Sequence, residues 1–389
     1  MRPARGSCMR LLATLLLALH GMAHLVGFRA AFWPSLGLPL RSSLLGGLVG
    51  VGSFGTRALG LLWLTLACGY VLSAALLLVR SPSWSAVTLG VTCTSAMMCL
   101  LFWPEARIGF FIDIALLVIV LALSRTGSPH LATAFYRELE QASLPDKPGP
   151  SAVVDEAALE SLPPSVRRYL RFMGVVGRPR DWSLRARFTA RFRLDRGPWL
   201  TCEALQYDTR LRLSRVFYMQ LSLKGLLPVT VRDTYLRGRG TMQAKAFDAV
   251  TVVRGTGPEI DVGELVTYLN DAILMAPSLL LGPEVTWREV DDSSFDVTLR
   301  DGSLSVSARV RLDEQGAPRD FSTTDRFFEM PGGKRVRTEW RTPVSSFQDV
   351  GGRKLPRQAQ AVWQLPDGPF AYADFSVDPS QVSFNVPPS

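Results

Sequence analysis

The stretch Ser183–Leu194, which reads SLRARFTARFRL, alternates apolar and polar side chains along its whole length. Six apolar side chains share one face: Leu184, Ala186, Phe188, Ala190, Phe192 and Leu194. Four arginines and a threonine occupy the other face. Because successive side chains of a strand point to opposite faces, this period of two predicts a half-buried β-strand.

The same alternation recurs further along the chain. Residues 295–299 and 304–310 both alternate, and Asp301-Gly302 between them favours a tight turn, so this segment predicts a hairpin. Later turn signals are Gly351-Gly352 and Asp367-Gly368. About ten such strands, joined mainly by short turns, predict an antiparallel sheet that curves into a half-barrel.

One helical segment interrupts these strands, from Pro258 to about Ala276. Leu265, Leu269 and Ile273 repeat at helical spacing within it. We expect these three side chains to face the concave side of the sheet, where they would line either a cavity or a packed core.

Four apolar segments precede the β-rich part, and each has the length and composition of a membrane span. They are residues 9–32, 57–79, 84–103 and 108–124. The predicted organisation is α+β: a four-span helical membrane bundle, a linker and a β half-barrel domain with a helical insertion. The ranges are 1–124, 125–154, 155–389 and, for the insertion, 258–281.

Charge is distributed unevenly between these parts. Residues 1–124 carry eight arginines and two acids, whereas residues 125–389 carry 35 basic and 32 acidic side chains. Arginines at the ends of apolar segments are typical of topology signals, and the pattern predicts no nucleic-acid partner. Their distribution favours an N-terminus inside a bacterial inner membrane. Four spans would then leave the β-rich domain in the cytoplasm.

Two of the three histidines in the chain, His20 and His24, lie four residues apart in the first span and so share one helix face. Asp113 is the only acid inside a predicted span, lies at a similar depth and requires a partner. We therefore predict a polar cluster in which His24, with His20 one turn deeper, hydrogen-bonds Asp113. Gly21 and Gly27 would allow the first and fourth helices to approach closely. The cluster is either a structural link between helices or a site for a metal, a haem or protons.

The β-rich part has few residues suited to catalysis. No histidine follows His130, and Cys202 is its only cysteine. These counts exclude Ser–His and Cys–His nucleophilic sites and histidine-ligated zinc within that part. Glu259, Asp261 and Glu264 form an acidic cluster at the start of the helical segment, where acids complement the helix dipole. A capping role is therefore expected for them, and neither catalytic residues nor a cofactor are predicted.

Several segments resemble those of an uncharacterised bacterial family in which four membrane helices precede a β-rich domain. They are LALHGMAHLVGF, LPPSVRRYLRFMGVVGRPR, YLRGRGTM, GPEIDVGELVTYL and AVWQLPDGPF. The most specific is the fourth, which contains Gly257, Pro258, Glu259, Asp261 and Glu264. The resemblance implies an architecture but does not indicate an activity.

A departure from this family and a second likeness bear on function. Relatives often have histidine where this chain has Gln364, which counts against catalysis at that position. The β-rich half is also similar in texture to the half-barrels of bacterial lipoprotein carriers, in which helices cover a curved sheet over an apolar cavity. This likeness implies a binding function.

Two functions remain open from the sequence. The first is a membrane-anchored, non-catalytic module that binds a lipid or another hydrophobic ligand in the half-barrel, beside Leu265, Leu269 and Ile273. The second is an integral membrane redox or transport protein whose chemistry involves His20, His24 and Asp113. Membrane lipids are expected partners in both cases.

Overall fold

The chain divides into a helical unit within residues 1–127 and a β-rich unit that begins at Ser128. In this computed structural model the described residues are 4–33, 35, 43–79, 81, 83–125, 128–146, 148–149, 151–194, 196–223, 227–246, 250–330 and 333–388.

The described residues of the helical unit form four long helices and one short strand pair. The helices are α1 (Ala4–Phe32), α2 (Gly52–Leu78), α3 (Trp84–Leu101) and α4 (Trp103–Arg125). The paired strands are β1 (Ser43–Leu44) and β2 (Val49–Gly50). Three helical stretches within the described residues are long and apolar enough to cross a membrane: Ala13–Phe32, Gly52–Leu78 and Trp84–Leu101. These three candidate spans are consistent with a membrane protein.

The fourth predicted span is helical but is not among these candidates. This helix is α4, which carries the charged residues Glu105, Arg107 and Asp113. The structure therefore supports three spans by length and composition, and the predicted count of four is not supported.

The β-rich unit contains a sheet of thirteen strands among the described residues. In chain order they are β5 (Ser183–Phe192), β6 (Leu200–Thr209), β7 (Ser214–Leu223), β8 (Leu227–Leu236), β9 (Arg239–Ala246), β10 (Val250–Gly255), β11 (Val285–Asp291), β12 (Ser294–Asp301), β13 (Leu304–Leu312), β14 (Pro318–Thr323), β17 (Trp340–Val350), β18 (Arg353–Leu365) and β19 (Gly368–Phe384). Two short pairs lie outside this sheet: β3 (Val153–Val154) with β4 (Arg178–Pro179), and β15 (Phe327–Glu329) with β16 (Arg335–Arg337).

The strand order across the sheet is β10-β9-β8-β7-β6-β5-β19-β18-β17-β14-β13-β12-β11. Neighbours pair antiparallel from β8 round to β11, which confirms the predicted antiparallel half-barrel. Strand β5 lies in the middle and pairs with β6 on one side and β19 on the other. Its residues Leu184, Ala186, Phe188 and Ala190 are buried, as their alternation predicts.

The predicted hairpin and turns are also confirmed. β12 pairs with β13 up to Asp301 and Leu304, so the chain turns at Gly302-Ser303, directly after Asp301. Gly351-Gly352 connects β17 to β18, and Pro366-Asp367 connects β18 to β19, which begins at Gly368. Local sequence patterns suffice to predict these hairpins, because a tight turn between two alternating segments largely fixes the register in which the two strands pair.

Three α-helices complete the described part of this unit: α5 (Ser128–Ala142), α6 (Pro164–Phe172) and α7 (Pro258–Met275). Helix α5 lies within the range predicted as a linker. Its buried side chains Leu131, Phe135 and Leu139 pack with Val216 and Tyr218 of β7. Since Phe217 and Met219 of β7 belong to the main core instead, α5 covers the opposite face of the sheet.

Helix α7 follows β10 and precedes β11, which are the two edge strands of the sheet. It contacts β7 and β8 in one half of the sheet and β13 and β18 in the other. Its first turn approaches β9 closely, because a Cβ on Gly240 would lie 2.5 Å from the carbonyl oxygen of Ile260. Helix α7 therefore lies across the concave face of the half-barrel.

Candidate functional site

A cavity of about 240 Å³ lies between the concave sheet and α7. Much of its wall is aromatic, from Phe188, Phe192, Phe217, Trp340, Tyr372 and Phe375. Typical small-molecule sites measure roughly 300–1,000 Å³, and a dry apolar cavity of about 150 Å³ can already hold benzene. The space thus fits a small hydrophobic molecule or part of a longer chain.

Charged side chains line the same cavity, and they continue into a buried network. The charge cluster consists of Asp208, Arg215, Asp233, Glu264 and Asp271; all of them except Asp208 line the cavity. Arg215 donates from Nη1 to Glu264 Oε2 at 3.0 Å and from Nε to Asp271 Oδ2 at 2.8 Å. Arg215 thereby joins strand β7 to helix α7.

Gln206 extends the network on β6. Its Nε2 donates to Asp271 Oδ2 at 2.8 Å and to Asp208 Oδ2 at 2.5 Å. Gln206 and Arg215 are 3% and 4% exposed, so these contacts are made away from bulk water. Hydrogen bonds and ion pairs are stronger in such surroundings, and unpaired charges are correspondingly unfavourable.

Burial raises the pKa of three carboxyl groups of the cluster, those of Asp208, Asp233 and Glu264. It raises the pKa of Glu264 to about 8, with repulsion from Asp233 adding to the effect and Arg215 opposing it. Burial followed by the charge of Asp271 raises the pKa of Asp208 well above its ordinary value. Burial also raises the pKa of Asp233, although the nearby arginines oppose the shift. The acids in this cluster therefore outnumber the positive charge available to stabilise them.

Three buried oxygens around the cluster have no hydrogen-bond partner within the part of the chain that the structure describes. They are Oδ1 of Asp208, Asp233 and Asn270. Asp233 and Asn270 line the cavity. Buried polar atoms are normally paired, so unpaired acceptors beside a cavity call for a hydrogen-bond donor.

A second arginine lines the cavity beside its aromatic wall. The guanidinium of Arg326 lies 4.5 Å from the ring centroid of Trp340 and 5.6 Å from that of Trp363. Trp340 also donates from Nε1 to the hydroxyl of Tyr372 at 3.2 Å. These contacts hold the aromatic rings and Arg326 in place.

The three residues predicted to face a ligand lie elsewhere on α7. Leu265, Leu269 and Ile273 have no exposed surface and belong to the main hydrophobic core. They are not among the cavity-lining residues; the α7 residues that do line it are Glu264, Thr267, Asn270, Asp271, Leu274 and Met275. The most apolar stripe of the helix packs into the core, and a more polar face borders the space. Ligand binding by those three residues stays a prediction.

The residues of the specific sequence motif lie at the start of α7. Gly257 precedes the helix with a φ of +106°, a conformation that suits glycine, and Pro258 is the first helical residue. Glu259 and Asp261 lie in the first turn. Their partners belong to other elements: Asp261 accepts from the backbone N–H of Gly240 at 2.7 Å. Asp261 thus fastens α7 to β9.

The other two acids of this motif also bind distant elements. Glu259 pairs with Arg335 of β16 at 3.0 Å. Glu264, predicted as a capping residue, lies beyond the first turn and is a member of the charge cluster. The charge cluster as a whole was not predicted from the sequence. A usable signal existed in β7, because Arg215 shares its face with Phe217, Met219 and Leu221 and so places a charge among apolar residues.

The polar cluster of the helical unit is centred on Asp113, which is fully buried. His20 Nε2 lies 2.8 Å from Asp113 Oδ1, and the Tyr70 hydroxyl donates to the same oxygen at 2.7 Å. Ser95 donates to Asp113 Oδ2 at 2.6 Å, and His24 Nε2 lies 2.6 Å from Ser95 Oγ. His20 is therefore the direct partner of Asp113, whereas His24 reaches it through Ser95.

The glycines of α1 face a different helix from the one predicted. A Cβ on Gly21 would lie 2.8 Å from Tyr70 Cβ, and one on Gly27 would lie 2.6 Å from Trp63 Cγ. Both glycines thus allow α1 to approach α2 rather than α4, and the predicted glycine contact with the fourth helix was wrong. Helices α2 and α3 supply Tyr70 and Ser95, two partners of Asp113 that the sequence reasoning missed.

Within the described residues, no group of three or more His, Cys, Asp or Glu side chains is arranged to hold a metal ion. In the Asp113 cluster, the remaining partners are the hydroxyl groups of Tyr70 and Ser95 and the thiol of Cys99, whose Sγ lies 3.7 Å from Asp113 Oδ2. The arrangement can link helices and relay protons between side chains.

Comparisons with known proteins give limited information on function. No curated protein matches the chain. A LolA superfamily protein from Nitrosomonas europaea is 14% identical over 58% of this chain and 92% of its own, with a TM-score of 0.24. A DUF1329 family protein from Desulfovibrio piger is 12% identical over 60% of this chain and 95% of its own, with a TM-score of 0.26. Scores this low say nothing about ligand or activity.

A family model, in contrast, matches residues 152–375. This range contains α6, α7 and the strands from β5 to β18, together with the first part of β19. The whole charge cluster lies inside the matched range. Because the match covers more than half of the chain, the protein belongs to DUF6544, a family of unknown function.

Proposed function

We propose that this protein is a membrane-anchored, non-catalytic module that binds a hydrophobic molecule in the cavity of its half-barrel. The observation that carries the proposal is the space of about 240 Å³ between the concave sheet and α7, with aromatic walls and a few convergent polar groups. Binding sites for small molecules usually combine these features. The candidate spans of the helical unit would supply the anchor.

The chemistry of the surrounding residues supports binding rather than conversion. The chain has no histidine after His130. Its one cysteine in this unit, Cys202, is buried, and burial raises the pKa of its thiol to about 12, which keeps it protonated and unreactive. Of the acids that line the cavity, Glu264 and Asp271 are held by Arg215.

A four-span topology is the finer part of this proposal. Helix α4 would act as the fourth span because its one deeply placed acid, Asp113, is satisfied by neighbouring helices. The β-rich unit would then lie on the cytoplasmic side of a bacterial inner membrane. Protease treatment of inverted vesicles tests this, since a β-rich unit that stays protected would overturn the cytoplasmic assignment.

Ligand binding is tested on the full chain extracted with its surrounding lipid into polymer nanodiscs. Small molecules retained after washing are identified by mass spectrometry and compared with those of empty nanodiscs. Ala359→Trp fills the cavity, because Ala359 lies in its wall, whereas Gln360→Trp places the same side chain on the exposed face of the same strand. We expect the first variant to lose the molecule and the second to retain it.

Folding of the variants is checked separately by hydrogen exchange of the β-strand amides. If Ala359→Trp does not fold, Ala361→Trp, another wall residue, replaces it. Recovery of no molecule from the folded natural protein would overturn the proposal. Equal recovery from the folded filled variant would also do so.

A second candidate function is membrane redox chemistry or transport by the helical unit. The observation that favours it is the complete burial of Asp113 among His20, Tyr70 and Ser95. The competing role is a structural link, worth roughly 1 kcal/mol for each hydrogen bond. Replacement of His20 and His24 by alanine separates the two. Loss of a bound metal or haem would make this cluster an active centre, and reduced helix stability alone would leave it structural.

A further inference from the structure

We infer that the cavity binds an amphiphile with a cationic amine head group, which contacts the charge cluster while its apolar chain lies along the aromatic wall. The inference rests on the proposed binding function and narrows its ligand class. It follows from the composition of the buried charges, from the oxygens left without donors, and from the position of both beside an apolar space.

Charge balance is the first argument. The charge cluster contains four carboxyl groups, on Asp208, Asp233, Glu264 and Asp271, and one guanidinium, on Arg215. With all groups ionised, the cluster would carry a net charge of −3. Arg326, which lines the same cavity, reduces this to −2. A buried excess of negative charge is unfavourable unless protons or another cation compensate for it.

The groups that face Glu264 come from several elements, and they explain how the excess is tolerated without a ligand. They are Arg215 on β7, Asp233 on β8, Asp271 on α7 itself, and Arg326 after β14. Burial and the surrounding acids raise the pKa of Glu264 to about 8. Without a ligand, protonation of Glu264 therefore removes part of the negative charge that a bound cation would otherwise neutralise.

Hydrogen-bonding capacity is the second, independent argument. Asn270 is 6% exposed and lines the cavity, and its amide oxygen has no partner among the described residues. Asp233 also lines the cavity, and its Oδ1 is unpaired in the same sense. These groups are acceptors, so the missing partner is a donor. An ammonium group offers three N–H donors and a positive charge.

An anionic head group fits the site less well. Arg215 already donates to Glu264 and Asp271, so its charge is matched. Arg326 lies over Trp340 and is close enough to Glu264 and Asp233 that its positive charge partly opposes the rise in the pKa of both. A carboxylate placed beside Arg326 would therefore meet two acids in the same cavity.

The apolar part of the ligand is accommodated by the wall of the same cavity. Val231 precedes Asp233 on the same face of β8, and Phe217 and Met219 follow Arg215 on β7. On both strands, a neighbouring side chain on the same face as the charged one is therefore apolar and lines the cavity. A head group at the cluster directs the chain along these side chains.

The test compares three probes with the same short chain: octylamine, octan-1-ol and octanoate. Binding to the full chain in nanodiscs is measured by calorimetry, with empty nanodiscs as the reference for partition into lipid. We expect octylamine to bind more tightly than octanol by about tenfold, the contribution of one hydrogen bond to a charged group. Octanoate should bind most weakly.

Glu264→Gln removes one carboxylate and keeps a side chain that can accept a hydrogen bond from Arg215. It should reduce octylamine affinity by about tenfold and octanol affinity by less. Glu203→Gln is the matched control, because Glu203 lies on the exposed face of β6 and pairs with Arg187. It should change neither affinity.

Proton release provides a readout that a purely structural role of Glu264 would not produce. A bound cation favours the ionised carboxylate, so it lowers the pKa of Glu264 and expels a proton at a pH near or somewhat below 8. Calorimetry in two buffers of different ionisation enthalpy counts the protons released. Release should accompany octylamine but not octanol, and Glu264→Gln should reduce it.

The outcomes distinguish this inference from the function on which it rests. Octanol binding as tight as octylamine binding would overturn the cationic ligand class and leave a hydrophobic cavity. Tighter binding of octanoate would reverse the assignment and point to Arg326. Failure of all three probes to bind, together with no molecule recovered from the natural protein, would overturn both proposals.

Discussion

The two units of this protein each bury an acid, and they treat it in different ways. Asp113 in the helical unit accepts hydrogen bonds from the hydroxyl groups of Tyr70 and Ser95 and lies beside His20. Glu264 in the β-rich unit has Arg215 as its donor and stands among three further carboxyls. A satisfied buried acid holds elements together, whereas acids that outnumber their donors leave binding capacity unused.

Position sharpens this contrast. Asp113 lies where helices pack on one another, with Tyr70 from α2 and Ser95 from α3. Glu264 and Asp233 line a cavity, which a further molecule can enter. Structural and binding roles can therefore be separated experimentally by removing one member from each cluster.

The largest effect is expected from Arg215→Met. The change leaves Glu264 and Asp271 without their donor, and the loss of one partner from a buried ion pair typically costs about 3–5 kcal/mol of folding free energy. Denaturant unfolding of the purified full chain, followed by hydrogen exchange at β7 and α7, measures it. Unchanged stability would contradict the view that Arg215 holds these carboxyls.

A smaller loss is expected from Asp113→Ala. The variant removes the acceptor for His20, Tyr70 and Ser95, and hydrogen bonds between membrane helices contribute about 1 kcal/mol each, so about 2–3 kcal/mol is expected. Titration with sodium dodecyl sulfate, followed by helix content, measures it. Asp113→Asn keeps an acceptor of the same shape and should lose less; a larger loss from Asn than from Ala would contradict the structural role.

The stability of the β-rich unit should also depend on pH. Because burial raises the folded-state pKa of Glu264 to about 8, above its unfolded value near 4.3, folding favours the protonated form. Stability is therefore highest below the unfolded pKa and decreases as the pH rises towards 8. Hydrogen exchange of α7 amides, corrected for the intrinsic pH effect, follows the decrease. Glu264→Gln should flatten it, and a steeper dependence in that variant would contradict the assignment.

The smallest effect is expected at the surface. Arg187 pairs with Glu203 at 2.7 Å, and both side chains are nearly half exposed. Surface ion pairs contribute about 0–1 kcal/mol, so Arg187→Met should leave unfolding almost unchanged. The same chemical change at Arg215 thereby shows the effect of burial alone, measured in the same unfolding experiment.

The sequence predicts those parts of the fold that depend on local pattern. The alternation in Ser183–Leu194 predicts β5, and the turn at Asp301-Gly302 predicts the β12–β13 hairpin. Helix α7 begins at Pro258, where the sequence places it. Each of these follows from neighbours within a few residues, and no distant contact is needed to decide it.

The remaining features depend on contacts between distant segments. Which face of α7 borders the cavity is decided by how the helix packs against both halves of the sheet, so Leu265 and Leu269 enter the core and Asp271 the charge cluster. Helix α5 was missed because the Pro- and Gly-rich stretch after it predicts a linker, although Leu131, Phe135 and Leu139 are spaced for a helix. The partner of Asp113 depends on helix rotation, which spacing alone leaves open.

The order of strands across the sheet has a consequence for biosynthesis. Strands β5 to β10 form one consecutive series and β11 to β19 another, and the two series are joined in the middle of the sheet where β5 pairs with β19. Since β19 comes far after β5 in the sequence, the edge of β5 that pairs with it stays unpaired until β19 has been synthesised. We expect the sheet to close slowly, because pairing of segments so far apart in sequence is slow. Chaperones would then be needed to protect the unpaired strand edge during synthesis.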